Sequence, residues 1–503
     1  MVSGHLEVES KYDVDEGFAV PDLTDLPGVA SIDDPVEHHL EAVYFDTADL
    51  RLLRARVTLR RRTGGPDAGW HLKLPAGAAR RELHAPLGRA TKKPPPGLLE
   101  PVAGVVRGQV PAPVATLHTR RVVTSLRGPD GVLLAEVADD TVTASVPPTG
   151  PGSPVQVQAW REVEVELGTG DDALAAAAGD RLLAAGARRS ASASKVGRVL
   201  GDRLAAVTGP VPGEQSPGTA GEFVLGALGE QVAALQAADV LLRTDQPGAV
   251  DGIRAAAGRL RSILAVFGSV LDATATESLR DELAWLDGRL AAARDTEAAL
   301  DHLREVVAAQ PEELVLGGVG ARLQQMRIRE GQAGSDRARR TLSEGRYVAL
   351  LDALHAVLAD PPFTARAGGP VRRALRKATR RSARELRRRL AVAGHEREQG
   401  RPVAPAEAGT VAADVRFVAE LGRGQVPHGK RLRRATQRAH QLLTELQDTQ
   451  VTRELCRRLG IVAHEAGENS FTYGRLHALE EERAKRAARD LEALLPDLRA
   501  ALR

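Results

Sequence analysis

The chain has 503 residues, 43% apolar and 27% charged, which is the composition of folded globular protein and too long for one ordinary core, so two or three domains are expected. A single cysteine, Cys456, excludes intramolecular disulfides and thiolate-only metal sites and suits a reducing compartment. The net charge of +3 divides unevenly, with 24 basic and 27 acidic residues over 1–208 and 45 against 39 in the remainder, so any attraction for polyanions must come from local concentration.

The chain opens without a basic stretch leading into an apolar run, and no uninterrupted apolar segment approaches the ~20 residues of a membrane span. A cytoplasmic protein with no membrane partner is expected. The first stretch, HLEVESKYDV (5–14), alternates as a strand, with Glu7, Glu9 and Lys11 on one face and Leu6, Val8 and Tyr12 on the other. The pair His38–His39 reads as a turn. Strand-like runs follow at AVYF (42–45), RVTLRRR (56–62), WHLKL (70–74), RRVVTSL (120–126), VLLAEVA (132–138) and WREVEVEL (160–167), separated by Gly, Pro and Asp turns. Segment 171–186 opens on Asp and closes on Gly, as a helix does, and 205–221 is a Pro/Gly/Ser-rich linker. From 222 to the end Ala, Leu, Arg and Glu recur at helical spacing, with breaks near 244–248, 309–313, 359–363, 367–370 and 400–409. Segments 250–262 and 427–439 align without gaps, as do 294–300 and 447–453, which suggests a duplication.

Charge is unusually placed on the strands. Arg56, Thr58, Arg60 and Arg62 share a face, as do His71 and Lys73, and Glu162, Glu164 and Glu166 lie opposite Val163, Val165 and Leu167. Alternation alone fits a wet outer face or a polar cavity wall. Three carboxylates at i, i+2 and i+4 repel one another unless a cation sits among them. In order, EVESK (7–11), YFDTADLRLLRARVTLRRR (44–62), HLKLP (71–75), REL (81–83), TRR (119–121), EVADD (136–140), EVEVEL (162–167) and SKVGRVL (194–200) resemble the CYTH, or triphosphate tunnel metalloenzyme, family over residues 3–203.

The resemblance implies an α+β domain built as a closed antiparallel β-barrel, residues 1–204, with a polar tunnel. It implies Mg²⁺ or Mn²⁺ on Glu7, Glu9, Glu162 and Glu164, with Asp139 and Glu166 as further candidates, and phosphates gripped by Lys11, Arg60, Arg62, Lys73, Arg121 and Lys195. Glu7, Glu9 and Lys11 would be the catalytic set, and Arg56 and Arg120 are neighbours of undecided role. Hydrolysis of inorganic triphosphate is the expected activity. The family also contains thiamine triphosphatases and adenylyl cyclases, and a non-catalytic polyphosphate-binding or granule-associated protein is the competing class. Trp70 and Trp160 are expected on the barrel exterior.

In the second half, 371–390 holds ten basic residues and one acid, and Arg372, Arg376, Arg380, Arg384 and Arg388 recur every four residues beside Arg373, Lys377 and Arg381. Segment 427–438 sets His428, Arg431, Arg434 and Arg438 on one helical face. Segments 253–267, 282–300, 345–354, 427–439 and 467–481 resemble the CHAD domain, which is often fused behind a CYTH domain. That resemblance implies an all-α domain, 222–503, of duplicated four-helix bundles that binds inorganic polyphosphate through Arg254, Arg261, Arg372, Arg376, Lys377, Arg380, His428, Arg431, Arg434 and Arg438. Asp251 and Gly258 stand where the family has His and Arg, so the first repeat is expected to be the weaker anion site. Aromatic residues make up only 3% of the chain, which argues against specific nucleic-acid binding. The histidines His302, His464 and His477 are expected in core or solvent roles.

Overall fold

The strand-like runs of the first half form strands because β-branched and apolar residues alternate with charged ones between Gly, Pro and Asp turns. In the computed structural model the chain is described over residues 3–77, 79–88, 92–148, 154–208, 218–398, 405–422 and 429–501, with backbone alone at 207–208, 292–293, 391–398, 405–408 and 429. It divides into two compact units, Met1–Val211 and Pro212–Arg503. The expected linker is shorter than its composition suggests: a helix runs to Thr208, the next begins at Ala220, and 209–217 lie outside the described residues.

The first unit contains β1 (Ser3–Glu7), β2 (Glu9–Val14), β3 (Ser31–Ile32), β4 (Val36–Asp46), β5 (Thr58–Thr63), β6 (Gly69–Ala76), β7 (Ala79–Ala85), β8 (Ala112–Arg127), β9 (Leu133–Val146), β10 (Gln156–Leu167) and β11 (Arg188–Arg189). All pairings are antiparallel, in the order β1-β7-β6-β5-β4-β8-β9-β10-β2-β11, with β3 on β8. Strands β1 and β2 are one stretch broken at Val8; β1 pairs β7 and β2 pairs β10, so the sheet closes through residues 3–14. This hand-over from β7 to β10 curls the sheet round and leaves its strands with an inner and an outer face, with β1 and β11 at the two ends of the strand order.

Short helices α1 (Arg51–Arg54), α2 (Pro96–Leu99) and α3 (Ala103–Val106) lie between strands, and α4 (Asp172–Ala184), α5 (Lys195–Val199) and α6 (Gly201–Thr208) follow β10. Helix α4 is capped by Asp171, whose carboxylate accepts from Leu174 N, and it covers the outward Tyr12, Val137, Val163 and Val165 with Leu174, Ala178 and Leu182. Gly179 is required there, because a Cβ would lie 2.2 Å from the Tyr12 hydroxyl. Asp46 of the YFDT stretch is structural. Its buried carboxylate accepts from the backbone N–H of Thr47, Leu52 and Leu53 at 2.7–2.9 Å and so fixes the start of α1.

The second unit is helical: α7 (Ala220–Arg243), α8 (Ala249–Val266), α9 (Glu277–Ala308), α10 (Val319–Ser343), α11 (Gly345–Ala359), α12 (Val371–Glu398), α13 (Pro405–Leu421), α14 (Gly429–Glu465) and α15 (Phe471–Ala501). Consecutive helices pack within α7–α10 and within α12–α15, and α8 meets α13 while α9 meets α14. This arrangement has two four-helix groups with α11 between them. The RDTEAAL and QDTQVTR segments both fall on third helices, α9 and α14. The other proposed repeat pair does not occupy equivalent helices, since 250–262 lies on α8 and the described part of 427–439 begins α14. Arg- and Ala-rich helices align readily because they share a composition, whatever their place in a bundle. Helix α7, opened by a Thr219/Glu222 capping box, is among the described residues the one helix long and apolar enough to cross a membrane; half of its apolar window is buried in this core.

Candidate functional site

Strand parity decides which charges meet. On β1 and β2, His5, Glu7, Glu9 and Lys11 turn inward, whereas Leu6 and Val8 face out and are 57% and 38% exposed. The inner walls enclose a cavity of about 340 Å³, lined further by Tyr44, Arg60, Arg62, His71, Lys73, Arg80, Glu82, Arg121, Glu136, Glu164, Glu166 and Lys195. The charged face of the first stretch is therefore a cavity wall.

Three knots of charge organise that wall. Lys195 is placed by Ser194, which caps α5 by accepting from Gly197 N at 3.1 Å. Its ammonium lies 2.9 Å from Asp140, 2.6 Å from Glu162 and 2.7 Å from Glu164, all buried. Arg121 forks onto Asp140 at 2.6–2.8 Å and reaches Glu164 at 2.7 Å. Burial would raise the carboxyls of Asp140 and Glu164, but the surrounding Lys195, Arg121 and, for Glu164, Lys11 hold both below the usual range. The three carboxylates lie close enough to share a metal, yet an ammonium already sits among them.

The second knot is Lys73, 2.5 Å from Glu7, 3.6 Å from Glu82 and 3.9 Å from Glu9. Lys11 joins the two knots, 3.0 Å from Glu9 and paired with Glu164. Here the acids outnumber the cations. Glu7 Oε2 is buried without a hydrogen-bond partner, and Glu166 has no ion pair among the described residues. Burial, with Glu9 and Glu166 beside it, pushes the Glu7 carboxyl up to about 7 against the pull of Lys73. Burial, together with Glu9 and Glu164, also raises Glu166. Glu7 and Glu166, raised by burial and by neighbouring carboxylates, are short of a cation, whereas Lys73 and Lys11 hold Glu9 below its usual range; together the three place carboxylate oxygens, the donors a divalent metal takes, on one wall of the cavity.

The third knot is basic. Arg60 has no carboxylate partner among the described residues, and Arg62 pairs only with Asp67 of the β5–β6 loop. The Nε–H groups of both arginines are buried and unbonded. Burial and the neighbouring Arg60 push the Arg62 guanidinium down to about 10. His71 lies 2.5 Å from Glu82 through Nδ1 and 2.9 Å from the Asp67 carbonyl through Nε2.

Several sequence assignments move. Asp139 faces outward and pairs with Arg161 at 2.6 Å; its neighbour Asp140 takes the inner position because β9 pairs Glu162 with Asp140 and Val163 with Asp139. Arg56 is not on the β5 face: it precedes the strand with φ +57° and is exposed. Arg120 pairs with Glu37 on the outside at 2.6 Å. His38 and His39 lie within β4, not in a turn. Trp70 is fully buried on the outer face against Phe45, with ring centroids 5.0 Å apart. Trp160 has the inner parity of Glu162 and donates to it at 2.6 Å, with Arg198 over its ring. Asp140, Glu82, Asp67 and Tyr44 were missed; ARRELHA (79–85) carries an alternation that would have turned Glu82 inward with Arg80 and His84.

In the helical unit, Arg372, Arg376, Lys377 and Arg380 are exposed on α12 with no ion-pair partner among the described residues. On α14, Arg431, Arg434 and Arg438 are exposed, and Arg431 and Arg438 lie 3.9 and 3.3 Å from Asp497 and Asp490. His428 lies outside the described residues. Arg254 is held by Asp287 at 3.0 Å and Asp295 at 3.4 Å, Arg261 is half-buried, and Asp251 is tied to Arg294 at 2.6 Å. His302 is bonded to Glu480 at 2.7 Å.

Comparison with known proteins agrees with this division. The CYTH domain model matches residues 5–199 and the CHAD domain model residues 226–457. Two proteins of Mycobacterium tuberculosis, from strains CDC 1551 and H37Rv and themselves named as uncharacterized, are each 35% identical over 99% of this chain and 97% of their own length. Among solved structures, PptA from Streptomyces chartreusis is 19% identical, covering 55% of this chain and 99% of its own, with TM-score 0.45. The CHAD domain from the plant Ricinus communis is 21% identical, covering 57% and 92%, with TM-score 0.43. Those structural likenesses are distant. On the two domain models and the near-full-length relatives, the chain belongs to the family that joins an N-terminal CYTH domain to a C-terminal CHAD domain.

Proposed function

We propose that the barrel hydrolyses inorganic triphosphate with the help of Mg²⁺ or Mn²⁺ and that the helical unit binds inorganic polyphosphate. The observation that carries the reading is the division of one cavity into a cationic wall, where Arg60 has no carboxylate partner among the described residues, and an acidic wall, where Glu7 keeps one buried oxygen unbonded and Glu166 has no ion pair among the described residues. Arg60 and Arg62 line the cavity with guanidinium groups suited to phosphate oxygens, and Lys73 and Lys11 line it beside the acids they pair with. Glu7, Glu9 and Glu166 would hold the metal, which when bound polarises the phosphoryl group and makes water a better nucleophile. Glu136, which lines the same cavity with no cation partner among the described residues, is the carboxylate left to orient the attacking water. Asp140, Glu162 and Glu164 keep Lys195 charged and in place.

On the helical unit, the unpartnered cations of α12 repel one another at successive turns, and a polyanion laid along them relieves that repulsion.

The test is incubation with Mg²⁺ or Mn²⁺ and inorganic triphosphate, long-chain polyphosphate or ATP, measuring phosphate and cyclic AMP. Metal-dependent phosphate release from triphosphate is expected, falling at least about a hundredfold in Glu7→Gln and Glu9→Gln. Full activity in both variants would overturn the assignment. Cyclic AMP from ATP would make the barrel a cyclase, and no product from any substrate, with polyphosphate still bound, would make the chain a binding protein.

A further inference from the structure

The loop between β5 and β6, Gly64-Gly65-Pro66-Asp67-Ala68, is longer than a tight hairpin needs and reaches into the cavity, where Pro66 and Asp67 form part of the lining. It turns at Gly64 and Gly65, with φ of +80° and +74°, and a Cβ at Gly64 would lie 2.0 Å from the His39 carbonyl oxygen. Asp67 is fastened at two points. Its carboxylate pairs with Arg62, and its carbonyl faces His71 Nε2 at 2.9 Å. A carbonyl only accepts, so Nε2 carries a proton. The other ring nitrogen faces the Glu82 carboxylate, itself flanked by Lys73, while Arg60 is His71's cross-strand neighbour and the His84 ring lies 4.9 Å away, tilted by 55°.

The two partners of the Arg62–Asp67 pair differ in what they can do alone. The Arg62 side chain is 8% exposed, whereas that of Asp67 is 47% exposed. A buried guanidinium beside Arg60 and Arg121 cannot recover its hydration, so it needs an anion at all times. A half-exposed carboxylate on a glycine-rich loop returns to water at small cost. Two anions on one guanidinium would repel each other.

We propose that Asp67 is a tethered anion that occupies, on Arg62, the place of a phosphate group of the incoming oligophosphate, and that ligand binding exchanges the carboxylate for phosphate. Rigid Arg60 and Arg62 are thereby kept aligned in the free protein, and any entering anion must outcompete a resident carboxylate. Highly charged oligophosphates do so more readily than singly charged anions. The inference rests on the reading that the cavity receives triphosphate.

Calorimetric titration of the full chain with inorganic triphosphate in EDTA, where no metal-dependent turnover occurs, tests the exchange. Asp67→Asn and Asp67→Ala are each expected to tighten the triphosphate Kd about three- to tenfold, since a competing, half-exposed ion pair has been removed. Asp33→Asn, which loses an outer pair with Arg127, is expected to leave the Kd unchanged. Unchanged or weaker binding in both Asp67 variants, with binding by the wild type intact, overturns the tethered-anion role alone. Absence of triphosphate binding by wild type and variants together overturns the cavity reading as well.

Discussion

Asp414 of α13 shows how a single buried acid sets a pH dependence away from the cavity. Its carboxylate accepts from the Ser262 hydroxyl of α8, and burial pushes it from 3.8 up to about 6 against the weak pull of Arg261. A raised acid is protonated in the folded chain where it is ionised in the unfolded one. Stability is therefore fully favoured below about pH 4 and falls as pH rises through about 6. The whole shift corresponds to roughly 3 kcal/mol, of which about 1 kcal/mol returns between pH 7 and pH 5. Urea unfolding of wild type and Asp414→Asn at those two pH values should show this increment in the wild type and not in the variant; equal increments would remove Asp414 as the source. The same reasoning about neighbours separates Asp139 from Asp140. They are adjacent and chemically identical, but one is paired with Arg161 outside and the other is wholly buried beside Lys195.

Helix α5 has only five residues and gains its place from an ion cage at its N-terminus and from Val196 and Val199 packed against β8 and β9. Lys195→Met would fill similar volume and leave Asp140, Glu162 and Glu164 around an uncharged chain. Breaking a buried ion cluster from one side typically costs 3–5 kcal/mol, so the barrel's urea midpoint should fall accordingly at pH 7. An unchanged midpoint would show that Lys195 is not their counter-ion. Strands were legible here because each carries its own alternation, as in β10 with Glu162, Glu164 and Glu166 against Val163 and Val165. The parity of β9 was harder to read, since EVADD contains two adjacent acids and only pairing with β10 and β8 settles which one turns in. Arg56 was misread for a related reason: the alternation runs one turn past the start of β5 into a left-handed residue that points elsewhere.

Across the chain, the barrel gathers a cluster of opposed charges inside its cavity and the helical unit carries its most concentrated charge outside. Polyphosphate binding to α12 and α14 should fall steeply with salt, because each neutralised phosphate releases counterions. Charge reversal at Arg431 and Arg438 should weaken polyphosphate binding more than reversal at Arg254 and Arg261, since Arg254 is held by two carboxylates and only 27% exposed, whereas Arg431 and Arg438 each meet one carboxylate and are 64% and 51% exposed. Filter binding of the two double variants decides it, and equal losses would sink the asymmetry. The amino-acid order alone was enough for the boundary between a strand-rich and a helical half, the inward face of Glu7, Glu9 and Lys11 once their companions are read together, and the cationic stripe of α12. These are local patterns of period two and about four, and they survive without knowledge of any partner. Folding was needed to show that Lys195 sits among acids, that Glu7 lacks a full complement of cations and that Asp67 covers Arg62. Each of those contacts joins residues brought together by loops or by barrel closure, and electrostatic balance is a property of the assembled neighbours, not of any one strand.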